Sequence, residues 1–163
     1  MGARGIYTAQ EEHLVNLIPP VDVNGGKTSG VINLKNYAHL TIILQFGATS
    51  AVPSKVSLLA SDNGSPESTA ALGFDVFKCE TAYGSANGDV LGARVAATAA
   101  NGFAPSGTDN IFYVIEVDAA TLPAGKNYVE LVLANPSGAC LASAVAVLSG
   151  ARYDHDQSET VLT

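Results

Sequence analysis

The sequence that decides the fold is 111-IFYVIEV-117, followed by 128-YVELVL-133 and 140-CLASAVAVL-148. These runs are rich in β-branched and aliphatic residues, which is the composition of β-strands rather than of helices. Residues 124–127 and 135–138 carry the Gly, Asn and Pro of tight turns and separate the runs. The pattern predicts three consecutive antiparallel strands that pair with one another as a meander.

Short strands are also predicted upstream of this region. Residues 12–18 form an apolar run that Pro19 and Pro20 are expected to end. The turn 24-NGGK-27 predicts a hairpin between residues 21–23 and residues 31–34, because Asn and Gly tolerate the positive φ of tight turns.

The segment 40–46 alternates, so that one face of its predicted strand carries the apolar residues Leu40, Ile42, Leu44 and Phe46. Residues 94–100 are alanine-rich and fit either a very short helix or a thin strand. Asp118 precedes a predicted single helical turn, whose free N–H groups its carboxylate is expected to cap.

The number and spacing of these segments indicate an all-β chain, an antiparallel β-sandwich or jelly-roll-like domain with extended terminal arms. About eight or nine short strands alternate with turns, as in sandwiches and barrels. A parallel sheet would need crossover helices, and no segment is long enough to form them. We assign residues 12–153 to the sandwich domain, residues 1–11 to an N-terminal arm and residues 154–163 to an acidic C-terminal arm.

The charge of the chain argues against two classes of partner. The 163 residues have a net charge of −7, and the cations are scattered along the sequence. Nucleic acid binding depends on clustered Lys and Arg that neutralise phosphates, so we expect no nucleic acid partner. No apolar run reaches the roughly 18 residues of a membrane span, and we expect no membrane partner.

The two cysteines lie far apart in the sequence, each within an apolar stretch. Cys79 and Cys140 show neither C-x-x-C spacing nor a nearby histidine. Their setting favours two small core residues, while a disulfide between them stays open as the alternative.

The sequence shows no catalytic, cofactor or metal motif. His13, His39 and His155 lack the spacing of a metal site, and no serine has the surroundings of a nucleophile elbow. We therefore predict that the protein is not an enzyme and binds neither cofactor nor metal. An enzyme would need a cleft that holds His13 and His39 beside a carboxylate.

Two parts of the chain resemble small virion structural proteins of tailed bacteriophages. The first is 15-VNLIPPVDVNGGK-27 with 36-NYAH-39. The second comprises 110-NIFYVIEVD-118, Leu122-Pro123, Tyr128-Val129 and 144-AVAVLSGARY-153. The resemblance covers most of the chain and is least distinctive between residues 50 and 107. These are packing and turn motifs, so they indicate a family rather than a reaction.

Within that family, the resemblance implies a capsid decoration, or cement, protein. Such proteins lie on the outer face of the virion shell, often as trimers, after synthesis in the host cytoplasm. The implied partners are the major capsid protein and further copies of this chain. The arms are the expected contact segments, through the residues Arg4, Ile6, Tyr7, Tyr153, Val161 and Leu162. Arms that fold back on their own domain are the alternative.

A second function stays open, that of a tail-associated or adhesion-type module that binds carbohydrate. Such sites stack a sugar on an exposed aromatic ring, and Asn and Asp side chains complete the polar contacts. Tyr83 near Asn87 and Asp89 fits this pattern, and Phe103 in its loop is the other candidate. The absence of tryptophan from the chain argues against this function.

Overall fold

The computed structural model describes residues 8–65, 68–152 and 160–162, and it is an all-β sandwich. Sheet A contains β1 (His13–Asp22), β4 (His39–Thr49), β7 (Phe74–Cys79), β8 (Val95–Ala97), β9 (Ile111–Asp118) and β11 (Cys140–Ser149). Sheet B contains β2 (Lys27–Thr28), β3 (Val31–Asn33), β5 (Val56–Ser61), β6 (Thr69–Leu72), β10 (Tyr128–Leu133) and β12 (Val161–Leu162). A short helix, α1 (Thr8–Glu11), precedes β1, and a 3-10 turn (Ala119–Thr121) follows β9.

The order of the strands is that of a jelly roll, as the sequence predicted. Sheet A runs β1-β11-β4-β9-β7-β8, and sheet B runs β12-β3-β10-β5-β6, with β2 beside β10. Apart from the β7–β8 hairpin and the edge strands β2 and β12, eight strands remain, four in each sheet. All their pairings are antiparallel, and the first of the eight, β1, lies beside the last, β11.

The meander predicted for the last third of the chain is wrong, although its three strands are present. β9 and β11 lie in sheet A, where each pairs with β4, while β10 lies in sheet B between β3 and β5. Each strand carries an apolar face that must reach the space between the sheets. β9, β10 and β11 reach it from alternate sheets rather than by pairing with one another.

The turn at Asn24 also joins the two sheets instead of closing a hairpin. β1 pairs with β11 on one side of the turn, and β3 pairs with β10 on the other. Gly25 and Gly26 both have positive φ, so the turn itself matches the prediction. Asp22 stabilises it by accepting hydrogen bonds from the N–H groups of Asn24 and Cys140, at 3.0 and 2.9 Å.

Pro19 and Pro20 do not end the first strand, contrary to expectation. β1 continues to Asp22, with irregularities of register between Asn16 and Ile18 and between Ile18 and Val21. β1 is an edge strand of sheet A, where a missing N–H can face away from the neighbouring strand. The bulged register therefore accommodates both prolines.

Two smaller predictions are resolved by the structure. The segment 94–100 contains strand β8 and no helix. Asp118 precedes the 3-10 turn at the N-cap position, but its side chain makes no capping hydrogen bond. That carboxylate binds His39 instead.

The core lies between the sheets and includes the predicted apolar face of β4. Leu40, Ile42, Leu44 and Phe46 are all buried. Cys79 and Cys140 are buried and free, so the prediction of two core residues is confirmed. Tyr113 lies in the middle, with its ring against Phe46 and Phe103, and its hydroxyl donates to Glu80 at 2.9 Å. Within the described residues, no helix is long and apolar enough to cross a membrane.

The turn before Phe103 lies against β5 and requires a glycine. Gly102 has φ of +55°, and a Cβ there would stand 2.0 Å from the carbonyl oxygen of Val56. Phe103 and Val56 exchange both backbone hydrogen bonds, at 2.7 and 3.0 Å, so neither backbone can move away without losing them.

We therefore expect Gly102→Ala to lower the free energy of unfolding by about 2–4 kcal/mol. Gly107→Ala is the matched control, since a Cβ at Gly107 meets nothing within 4 Å. The control should change stability by no more than about 1 kcal/mol. Urea denaturation of both variants measures the difference, and equal stabilities would contradict the tight packing of this turn.

Candidate binding face on sheet A

The outer face of sheet A carries a group of neighbouring apolar side chains that are exposed or partly exposed. Alternation along the strands turns Val145, Ile43, Val114 and Phe77 outward, and the strand register places these residues side by side. Val145 is 42% exposed and Ile43 is 37% exposed. Leu14 and Val147, also opposite each other, extend the surface to the edge of the sheet. We call the surface formed by Leu14, Ile43, Phe77, Val114, Val145 and Val147 the apolar band.

A contiguous band of this kind is unusual in a sheet that faces water. Antiparallel sheets with one solvated face normally alternate apolar and polar residues, which keeps the outer face hydrophilic. Exposed single apolar residues are common, whereas large contiguous apolar patches are typical of surfaces that bind a partner. The band is therefore the best candidate for a protein-binding site on this chain.

Beside the band, a histidine bridges two carboxylates. His39 lies opposite Asp118 in the register of β4 and β9, and Thr41 lies opposite Glu116. The Nδ1 atom of His39 is 2.7 Å from Asp118, and its Nε2 atom is 2.6 Å from Glu116. Thr41 donates a further hydrogen bond to Glu116 at 2.7 Å.

This arrangement favours the imidazolium form of His39. Partial burial lowers the pKa of His39, but hydrogen bonds to Asp118 and Glu116 and the charges of both carboxylates outweigh burial and raise it. Both ring nitrogens face acceptors, and only the protonated ring can donate from both. The hydrogen bonds of the cluster thus link side chains of β4 to side chains of β9.

The geometry that an enzyme would need is present only in part. His39 has its carboxylates and borders a cavity of about 350 Å³, together with Asp75 and Thr121. His13 instead stacks on Tyr37, with ring centroids 5.9 Å apart. In the part of the chain that the structure describes, no group of three or more His, Cys, Asp or Glu side chains is arranged to hold a metal ion. The absence of enzymatic activity stays a prediction.

A groove of about 700 Å³ lies at the other end of the outer face, where β1, β4, β9 and β11 meet the loop of residues 80–92. Tyr83 and Asp89 come from that loop, while Gln45, Phe112 and Leu141 come from the sheet. Tyr83 is 86% exposed.

The groove is lined by some of the residues that the carbohydrate hypothesis names. Tyr83 and Asp89 both line it, as that hypothesis needs, whereas Asn87 does not. Phe103 is buried against Tyr113 and Phe74, so it cannot stack on a ligand. An apolar ring in a loop sequence can serve either to cover the core or to face solvent, and only the fold distinguishes the two.

The structure places the predicted arm residues as follows. Arg4, Ile6, Tyr7 and Tyr153 lie outside the described residues. Val161 and Leu162 form β12, which pairs with β3 opposite Ile32 and Val31. Asn33 also donates its backbone N–H to Thr160 at 2.8 Å. The end of the C-terminal arm therefore folds back on its own domain.

Sequence reasoning did not identify the apolar band or the His39 cluster. A signal for the band was available, since β11 carries Val145 and Val147 between the buried positions Ala144, Ala146 and Leu148. A strand that is apolar at successive positions has two apolar faces, and one of them must lie outside the core of a two-layer sandwich. Nothing in the sequence indicates that residues 39 and 118 meet.

Comparisons of the chain with protein-family models, curated proteins and solved structures find no match.

The His39 cluster predicts a specific dependence of stability on pH. A raised pKa in the folded state stabilises the fold fully below the ordinary histidine value of 6.5, and this contribution is lost as pH rises through the raised value. We expect the melting temperature of the wild type to exceed that of His39→Asn by about 1–2 °C more near pH 6 than near pH 9.

Differential scanning fluorimetry across this range measures the effect. Thr41→Val is the control, because it removes a hydrogen bond to Glu116 without removing a titrating group. A melting-temperature difference between wild type and His39→Asn that stays constant with pH would contradict the ionised bridge.

Proposed function

We propose that this chain is a structural protein of a bacteriophage virion that binds the outer surface of the capsid as a decoration protein. The observation that carries the proposal is the apolar band. A surface of this kind binds another protein, and the resemblance to virion proteins indicates which protein that is. The major capsid protein is the proposed partner.

Two further observations support a place on the outside of a shell. The net charge of −7 disfavours contact with packaged DNA. The jelly roll is a fold found in viral capsid proteins, although it also occurs in lectins and other classes, so the fold alone does not assign the function.

A shell presents many equivalent copies of one site, which changes the affinity that each contact needs. Closed symmetry allows copies of this chain to contact both the shell and one another, so that modest contacts add up. We propose self-association, with a trimer as the expected state. Arm residues 1–7 are proposed to add contacts beyond the band.

The band predicts a sharp loss of shell binding on substitution. Val145→Lys introduces a charge that would have to be buried in the contact, and desolvation of that charge opposes binding. We expect the dissociation constant for purified shells that lack this protein to rise about tenfold or more. Val145 is partly exposed, so the variant should fold.

Ala71→Lys is the matched control, since Ala71 is an exposed strand residue on sheet B. Cosedimentation with shells should show wild-type binding for this variant and weakened binding for Val145→Lys. Equal binding of the two variants would overturn the proposal that the band meets the shell.

A further inference from the structure

The groove beside the loop 80–92 has the features of a ligand site that the proposed function does not use. Its volume of about 700 Å³ lies within the range of roughly 300–1,000 Å³ typical of small-ligand pockets. Its lining is largely apolar and includes Pro20, Phe112 and Leu141. Tyr83 stands at its rim, almost fully in solvent.

The loop that carries Tyr83 is fixed by contacts with the sheet. The backbone N–H of Tyr83 donates to Asn110 at 3.0 Å, and that of Gly92 donates to Lys78 at 2.9 Å. The thiol of Cys79 donates to the carbonyl of Gly88 at 3.3 Å. The loop is also tight at Gly88, where a Cβ would lie 2.7 Å from the carbonyl oxygen of Ala82.

An exposed ring on a fixed loop contributes little to folding, because almost none of its apolar area leaves water. The backbone that carries the ring is nevertheless held by these hydrogen bonds before any ligand arrives. A tyrosine has only two side-chain torsions to fix, so it loses little entropy when a ligand stacks on it.

The polar side chains of the groove are free to bind a ligand, and Asp89 is the one charged residue among the lining residues that the structure describes. Gln45, Asp89, Asn110 and Ser143 line it, and none of these side chains hydrogen-bonds another described residue. The described lining contains no Lys, Arg or His, so a phosphate, sulfate or carboxylate ligand would find no cation there. Amide, hydroxyl and carboxylate groups are instead suited to the hydroxyl groups of a neutral ligand.

We propose that this groove binds a neutral saccharide. One pyranose ring stacks its C–H face on Tyr83, and its hydroxyls donate to Asp89 and exchange hydrogen bonds with Gln45 and Asn110. The apolar residues of the lining contact the less polar face of an adjoining sugar unit. The proposal rests on the groove alone and does not depend on capsid binding.

The first test uses the full chain on an array that carries neutral, sialylated and sulfated oligosaccharides. Saturable binding to neutral glycans is the expected result. Binding restricted to charged glycans, or no binding at millimolar free sugar in a calorimetric titration, would overturn the proposal.

Variants then locate the site. Tyr83→Ala should weaken binding of the neutral glycan about tenfold, while Tyr83→Phe, which keeps the ring, should stay close to wild type. Asp89→Asn should also weaken it, because the amide replaces a carboxylate that accepts from sugar hydroxyls. Unchanged affinity in Tyr83→Ala would place the sugar elsewhere and overturn the assignment.

The same variants separate this site from the proposed shell contact. Tyr83→Ala should bind shells normally, and Val145→Lys should bind the glycan normally. If Tyr83→Ala instead weakens shell binding and no neutral glycan binds, the groove holds an apolar side chain of a protein partner, and the saccharide proposal fails while the capsid proposal stands.

Discussion

The position of β11 between β1 and β4 is the constraint on which this structure depends. Its inward residues Ala142, Ala144 and Ala146 are buried and small, which lets the two sheets approach each other at this strand. On one side it pairs with the first strand of the chain and on the other with β4. β11 thus connects the first strand of the chain to the rest of sheet A.

The same strand determines what the outer face offers. Because side chains alternate, inward alanines oblige Val145 and Val147 to face outward, where they meet Ile43 and Leu14. These outward residues lie outside the core between the sheets. We propose that a partner accounts for their apolar character, which is why the band carries the functional proposal.

Sequence patterns located most strands but not their partners. Residues 111–117, 128–133 and 140–148 were recognisable as strands because runs of β-branched and aliphatic residues bounded by turns are typical of strands. Their pairing was not, because strands of a jelly roll pair with distant segments, as Ile43 does with both Val114 and Val145. Local turn signals therefore suggested hairpins where the chain changes sheets.

The candidate sites also differ in this way: local sequence indicated one of them, whereas the others depend on contacts between distant segments. Tyr83 and Asp89 were found from a short polar loop with an aromatic residue, a local signal that the fold preserved. The bridge from His39 to Glu116 and Asp118 joins β4 to β9, and no local pattern contains it. The band depends on register across five strands. Surfaces of this kind follow from topology, so sequence periodicity alone could not identify them.

The proposed contact between the apolar band and the shell is tested most directly by chemical labelling of the outer face of sheet A in the free and shell-bound protein. Cys79 and Cys140 are buried, so a thiol reagent reports on an introduced cysteine. Ile43→Cys should label readily in the free protein and slowly on the shell, while Ala71→Cys on sheet B should label equally in both. If the shell instead protects Ala71→Cys and leaves Ile43→Cys readily labelled, the result would contradict a contact between the band and the shell.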